Sequence, residues 1–123
     1  MTPDDLRHRT RKFAVDTIRF CEQLPSSRAA NVIAEQLLRA ATSVGANYRA
    51  ACRGRSRAEF IARLGVAIEE ADESAYWLDI AADARITTRE AAAPLRQEAE
   101  ELTRIFVRSR ATARGNHQSA NSR

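Results

Sequence analysis

Residues 36–78, QLLRAATSVGANYRAACRGRSRAEFIARLGVAIEEADESAYWL, decide the fold. Apolar residues recur at steps of three and four on both sides of an arginine-rich break at residues 52–57, CRGRSR. That period describes two long amphipathic helices joined by a short turn. In the helix after the break, the spacing selects Ile61, Leu64, Ile68, Ala71, Ala75, Leu78 and Ala82 as a core seam. In the helix before it, Ile33, Leu37, Ala40, Val44, Asn47 and Ala51 keep the same rhythm. Both helices are apolar over more of their circumference than one core face requires. Ala30, Ala34, Leu38, Ala41, Gly45, Tyr48 and Cys52 form a second stripe beside the first, and Val66, Trp77 and Ile80 lie behind the other seam among glutamates. A flanking helix of the same bundle would cover such surface. A second subunit would do so too, and the expected interface is Leu38, Ala41, Gly45, Tyr48, Val66, Trp77 and Ile80.

Outward from this stretch the punctuation gives helices over about residues 4–24, 27–52, 57–84 and 88–114. Pro3 with Asp4 and Asp5 opens the first, and Pro25 ends it after Leu24. Ser26 or Ser27 caps the second, which stops near Gly54. Ser56 with Glu59, and Thr87 with Glu90, have the spacing of capping boxes for the third and fourth. Pro94 then kinks the fourth helix or delays its start to near Ala93. Leu6, Phe13, Phe20 and Leu24 are the core positions of the first helix, and Leu95, Leu102 and Phe106 those of the fourth. Residues 115–123, GNHQSANSR, are nearly devoid of apolar side chains and are expected to form a disordered tail. Short connections make neighbouring helices antiparallel, so the expected fold is an all-α, up-down-up-down four-helix bundle.

Composition narrows the function. With 4 Gly and 3 Pro in 123 residues, an all-β fold of many short turns is excluded. No apolar run reaches the roughly 20 residues of a membrane span, and MTPDDLRHRTRK lacks the apolar core of a signal peptide, so a cytoplasmic protein is expected. Cys21 and Cys52 fall toward opposite ends of antiparallel helices, on the order of 30 Å apart at the helical rise, which precludes a disulfide. Glycine-rich phosphate loops, G-x-S-x-G and H-E-x-x-H are all missing, and no enzymatic activity is expected. The acidic run Glu69, Glu70, Asp72, Glu73 has no histidine three residues after either Glu69 or Glu70, so neither a di-metal site nor any other cofactor is expected. Asn47 within an apolar seam calls for a polar partner. Ser43, Asn47, Glu70 and Glu73 are therefore expected to form a polar contact fixing the register of the second and third helices.

The arginines carry the functional signal. Lys12 is the only lysine in a chain of net charge +4. A genome favouring arginine codons would give the same ratio, but not the same placement. Arg7, Arg9, Arg11 and Lys12 start the first helix; Arg49, Arg53, Arg55, Arg57 and Arg63 surround the second turn; Arg104, Arg108, Arg110 and Arg114 finish the fourth helix. In an up-down-up-down bundle these all share one end. Cations at helix C-termini complement the dipole, which accounts for the second and fourth helices but not the first. A concentrated basic end is the footprint of phosphate-backbone binding.

Phe13-Ala14, Leu24-Pro25, residues 36–51, Ser56 with Glu59-Phe60-Ile61, and EEADESAYWL at 69–78 together resemble a family of four-helix bundles named for the protein encoded in intervening sequences of bacterial large-subunit rRNA genes. The chain is also similar to the accessory variability proteins of diversity-generating retroelements. The resemblance covers about residues 10–85 and is most specific at Ser43–Tyr48 and Glu70–Leu78. It departs at Glu69-Glu70, where the family often has Lys-Glu. The resemblance implies a homopentamer, an RNA or DNA ligand and a protein partner such as a reverse transcriptase. The expected function is an oligomeric nucleic-acid-binding bundle serving an RNA or reverse-transcription process. The competing expectation is a protein-interaction module whose partner presents an acidic surface or an amphipathic helix.

Overall fold

In the computed structural model the chain forms α1 (Pro3–Glu22), α2 (Arg28–Cys52), α3 (Arg57–Asp83) and α4 (Arg89–Asn121). The backbone is described for residues 1–121 and the side chains for residues 1–115. α3 packs extensively against both α2 and α4, α1 packs against α2, and the contact between α1 and α4 is the smallest. The result is an all-α four-helix bundle with antiparallel neighbours.

The helix starts follow side-chain capping. Thr2 Oγ1 accepts from the Asp5 N–H at 3.1 Å, and the Asp5 carboxylate accepts from the Thr2 N–H at 2.9 Å. These bonds close a reciprocal box and hold the Asp5 carboxyl below its usual range. Ser27 caps α2 through the Ala30 N–H. Ser56 caps α3 through the Glu59 N–H, but the Glu59 carboxylate turns to the N–H of Arg55, so half of the expected box forms. α4 is capped by Thr88, not Thr87: Thr88 Oγ1 accepts from the Ala91 N–H at 3.0 Å. α4 begins at Arg89 and passes through Pro94, so the proline does not delay it to Ala93. At its other end α4 continues through Gly115 to Asn121, across most of the segment whose composition pointed to a tail. Extending a nucleated helix adds a hydrogen bond for each residue fixed. Ser122 and Arg123, the end of that expected tail, lie outside the described residues.

The core seams are heptad-like but not always the ones the largest side chains mark. On α3 the buried residues are Leu64, Ala67, Ala71, Ser74, Ala75, Leu78 and Ala81. Ile61, Ile68 and Ala82, which the spacing had selected, are only half-buried. Small side chains at Ala67, Ala71, Ser74 and Ala81 let α3 sit close to two neighbours at once, and the isoleucines flank that contact. α1 buries Thr10 and Thr17 alongside Leu6 and Phe13. Each threonine hydroxyl donates to a carbonyl of its own helix, Thr10 to Arg7 and Thr17 to Phe13, so it enters the core without an orphaned polar atom. Where α1 crosses α2, a Cβ on Gly45 would lie 3.2 Å from Thr10 Oγ1. Tyr48 and Phe106 stack at 5.4 Å between ring centroids and close the core toward the α2–α3 turn.

α3 ends in a Schellman arrangement. The Ile86 N–H reaches the Ala81 carbonyl at 2.9 Å and the Arg85 N–H reaches Ala82 at 3.0 Å, with Arg85 at φ 59°. Glycine is the usual residue there, because a Cβ in the left-handed region costs about 1–2 kcal/mol. The Arg85 side chain is exposed and makes no ion pair among the described residues. Arg85→Gly should therefore stabilise the fold by about 1 kcal/mol, after allowing for glycine's extra unfolded-state freedom. Urea denaturation should show a higher midpoint at unchanged slope.

Candidate nucleic-acid interface

Antiparallel packing brings the starts of α1 and α3 and the ends of α2 and α4 to one end of the bundle. The connection at residues 53–56 is kept tight by Gly54, where a Cβ would lie 3.1 Å from the Ala51 carbonyl oxygen and 3.3 Å from the Phe60 nitrogen. This turn holds Arg53 and Arg55 at the tip of the bundle and starts α3 with Arg57.

Of the α1 cations, three are already engaged. Arg9 donates from Nε and Nη2 to the two Glu98 oxygens, each at 2.7 Å, and Nη2 also lies 3.0 Å from Glu101. The bonds to Glu98 raise its pKa further above the ordinary arginine value. They stitch α1 to α4, where the helices touch least. Arg9 is thus a structural residue, a correction to its expected role. Arg7 pairs with Asp4 and Lys12 with Asp16 along α1 itself, so both enter any ligand contact in competition with a local carboxylate. Among the described residues no ion pair forms at Arg11, Arg49, Arg53, Arg55, Arg57, Arg63, Arg104, Arg108, Arg110 or Arg114. All of these are exposed except Arg110, which is half-buried.

The rest of the molecule is treated differently. Arg39 on α2 bridges Glu70 at 3.0 Å and Glu73 at 2.6 Å on α3. Arg96 on α4 grips Asp79 through Nε at 2.7 Å and Nη2 at 3.0 Å and also pairs with Glu100, while Arg89 pairs with Asp83. Arg19, Arg28 and Arg85, away from the basic end, form no ion pair among the described residues either, so that end is set apart by how many arginines it gathers as well as by how few of them are occupied.

Two grooves gather some of the free arginines. Between α1 and α2, Arg7, His8, Arg11 and Arg49 rim a depression of about 540 Å³ floored by Thr10, Ala14, Thr42, Gly45 and Ala46. Between α3 and α4, Arg57 and Arg108 flank a depression of about 750 Å³ containing Phe60, Ile105, Ser109, Thr112 and Ala113. Arg53, Arg55, Arg63, Arg104, Arg110 and Arg114 line neither. The basic surface is a ring around one end and not a single face.

Part of the expected subunit interface is used within the chain itself. Ala41 is wholly buried and Tyr48 is 3% exposed, both inside this chain's own core, and Gly45 is taken by Thr10 of α1. An inner helix of the bundle has two neighbours, and the second stripe of α2 serves α1. Leu38 stays half-buried. On α3, Val66 is 39% and Tyr76 55% exposed; Trp77 and Ile80 are half-buried. The Trp77 indole donates to Glu73 at 3.4 Å and meets Tyr76 edge-on. Tyr76 went unnoticed in the sequence because it lies off the stripe that Val66 and Trp77 define.

The polar seam also differs from expectation. Asn47 is half-buried and its amide donates to the Ser43 carbonyl of its own helix at 2.9 Å. Ser43 likewise bonds back to Arg39. The polar link between α2 and α3 is Arg39 with Glu70 and Glu73. Burial raises the Glu70 carboxyl above its usual range, and the hydrogen bond from Arg39 lowers that of Glu73. Among the described residues no group of three or more His, Cys, Asp or Glu side chains is placed to hold a metal ion. Both cysteines are free, and burial pushes the Cys21 thiol up to about 11. Among the described residues no helix is long and apolar enough to cross a membrane.

The division between engaged and free arginines has a direct test. Arg9→Ala removes two charge-assisted bonds and leaves Glu98 and Glu101 facing each other's charge, which should cost about 1 kcal/mol after allowance for solvent screening. Arg11→Ala should leave the unfolding free energy within about 0.5 kcal/mol of the parent. Denaturant titrations of the two variants side by side distinguish the roles.

Comparison with known proteins bears on the fold and the lineage. A crystal structure of a protein of unknown function from the S23 ribosomal protein family of Bacteroides thetaiotaomicron superposes with a TM-score of 0.84 at 30% identity, covering 90% of this chain and 99% of the other. A comparison with curated proteins returned no match. A family model described as 23S rRNA-intervening sequence protein matches residues 5–108, which takes in all of α2 and α3 and most of α1 and α4. The chain belongs to the 23S rRNA-intervening sequence protein family.

Proposed function

We propose that this protein is a non-enzymatic, self-associating helical bundle that binds nucleic acid through the arginines at its α2–α3 end. The observation that supports this is the unequal occupancy of the arginines. At one end Arg11, Arg49, Arg53, Arg55, Arg57 and Arg108 are gathered exposed and unpaired among the described residues, while elsewhere Arg39, Arg89 and Arg96 are held by carboxylates and only the scattered Arg19, Arg28 and Arg85 are unpaired. A free arginine reaches a phosphate without breaking a protein contact, and the fork of donors suits phosphate oxygens. Affinity then comes chiefly from counterions released along the strand. No base-reading motif accompanies the arginines, so contacts fall on the backbone and discriminate little between sequences.

Self-association is assigned to the outer face of α3. Val66 and Tyr76 are exposed there, and Trp77 and Ile80 are half-covered. Repeated basic ends in one assembly would raise the effective concentration of binding sites along a strand.

Two experiments test the proposal. Binding of RNA and DNA oligonucleotides, followed from about 50 to about 200 mM salt, should weaken with a log–log slope of about −0.7 to −0.9 per phosphate engaged. Replacing Arg49, Arg53 and Arg55 together by Gln should flatten that slope and weaken all sequences alike, while Arg85→Gln with Arg89→Gln should not. Absence of binding at the lowest salt, with capture of an acidic protein partner by the same arginines, would replace nucleic acid with protein as the ligand. Light scattering should give several times the 13.7 kDa chain mass. Val66→Glu with Tyr76→Glu should return the monomer, and a monomeric parent at micromolar concentration contradicts the assembly.

A further inference from the structure

The groove between the start of α3 and the C-terminal half of α4 combines features that plain phosphate binding does not need. Phe60 lies four residues before Leu64, on the line of α3 that continues into the core. It packs against the core from one side and is only half-buried. Opposite it, α4 changes character. Leu95, Ala99, Leu102 and Phe106 fill the seam completely, but Ser109, Thr112 and Ala113 follow. Those small side chains leave the far side of Phe60 uncovered, and the depression of about 750 Å³ is the consequence. Ile105 completes the apolar floor, and Arg57 and Arg108 stand at the sides. Glu101, the one carboxylate of the lining, is turned to Arg9 at 3.0 Å, so its charge is compensated.

An aromatic ring with two unpaired arginines beside it matches an unpaired nucleotide: a planar base against the ring and its phosphates against the guanidinium groups. We infer that this groove seats a nucleobase of a single-stranded segment, so that the protein favours unpaired strands over duplex. The inference rests on the nucleic-acid reading above and adds the form of the ligand. Bases inside a duplex are stacked on one another and cannot enter such a depression, whereas an unpaired strand can turn a base outward at little cost. Stacking is tolerant of base identity, consistent with the absence of base-reading side chains.

The test uses the full chain at about 50 mM salt with three probes of about 12 nucleotides: oligouridine, an abasic strand of equal charge, and a duplex. Oligouridine should bind about 10-fold more tightly than the abasic strand. Phe60→Leu keeps an apolar side chain but removes the ring, and should erase that difference while leaving abasic binding unchanged. Ala113→Leu fills the groove without touching Phe60 and should do the same, which guards against a folding defect in either variant. Arg57→Gln with Arg108→Gln should weaken all three probes. If both Phe60→Leu and Ala113→Leu bind oligouridine like the parent, or duplex binds as well as the single strand, the inference is overturned and the basic-end reading stands. A change of subunit number in Phe60→Leu by light scattering also overturns it, because the groove would then be covered by a second copy. Failure of every probe to bind the parent overturns both readings together.

Discussion

Close approach of α3 to α2 and α4 through Ala67, Ala71, Ser74, Ala75 and Ala81 is the constraint on which the rest of the bundle depends. Alanines contribute little apolar area apiece, but they allow two helices to lie near α3 together, and dispersion between well-packed backbones and side chains accumulates. Leu64 and Leu78, both essentially unexposed, anchor the ends of this seam. Widening any of the alanines would push one neighbour away. α1 is added to the outside of this three-helix unit, on α2 where Thr10 meets Gly45, and on α4 where Arg9 meets Glu98. The weakest helix contact is thus reinforced by charge-assisted bonds, as α2–α3 is by Arg39 and α3–α4 by Arg96.

Charge is sorted by the same architecture. A surface ion pair contributes about 0–1 kcal/mol, so the pairs of Arg39, Arg89 and Arg96 matter little to stability individually. Their larger effect is to remove those arginines from competition for a ligand. At the α2–α3 end the helices present arginines with few carboxylates in reach, and the formal charge of +4 for the whole chain understates the field there. Polarity of this kind comes from pairing geometry, and it survives changes in net charge that leave the pairs in place.

Much of this was legible beforehand. Capping residues, prolines and the period of the apolar residues located the four helix starts and the ends of the first three to within about two residues, though not the end of α4, and the short connections implied the topology. The α3 register was not legible, since apolar residues spread around the helix and Ile61 and Ile68 outweigh Ala67 and Ser74 in any pattern based on hydrophobicity. Nor was the partner of the second α2 stripe: a width of apolar surface shows that something covers it, not whether Thr10 of the same chain or a second subunit does. Arg9 and Glu98 are 89 residues apart, and no local rule joins them. The gathering of cations at one end followed from topology alone. The division into engaged and free arginines, and the uncovered face of Phe60, needed the packed structure.

A concentration of available arginines at one end is what makes a ligand surface there. Side-chain Nε–Hε resonances of the arginines, followed by NMR during titration with a short oligonucleotide at low salt, test it residue by residue. Resonances of Arg49, Arg53, Arg55, Arg57 and Arg108 should shift and return as salt is added, while those of Arg39 and Arg96 hold still. Shifts centred on Arg39, Arg89 and Arg96, or spread evenly over both ends, would contradict it.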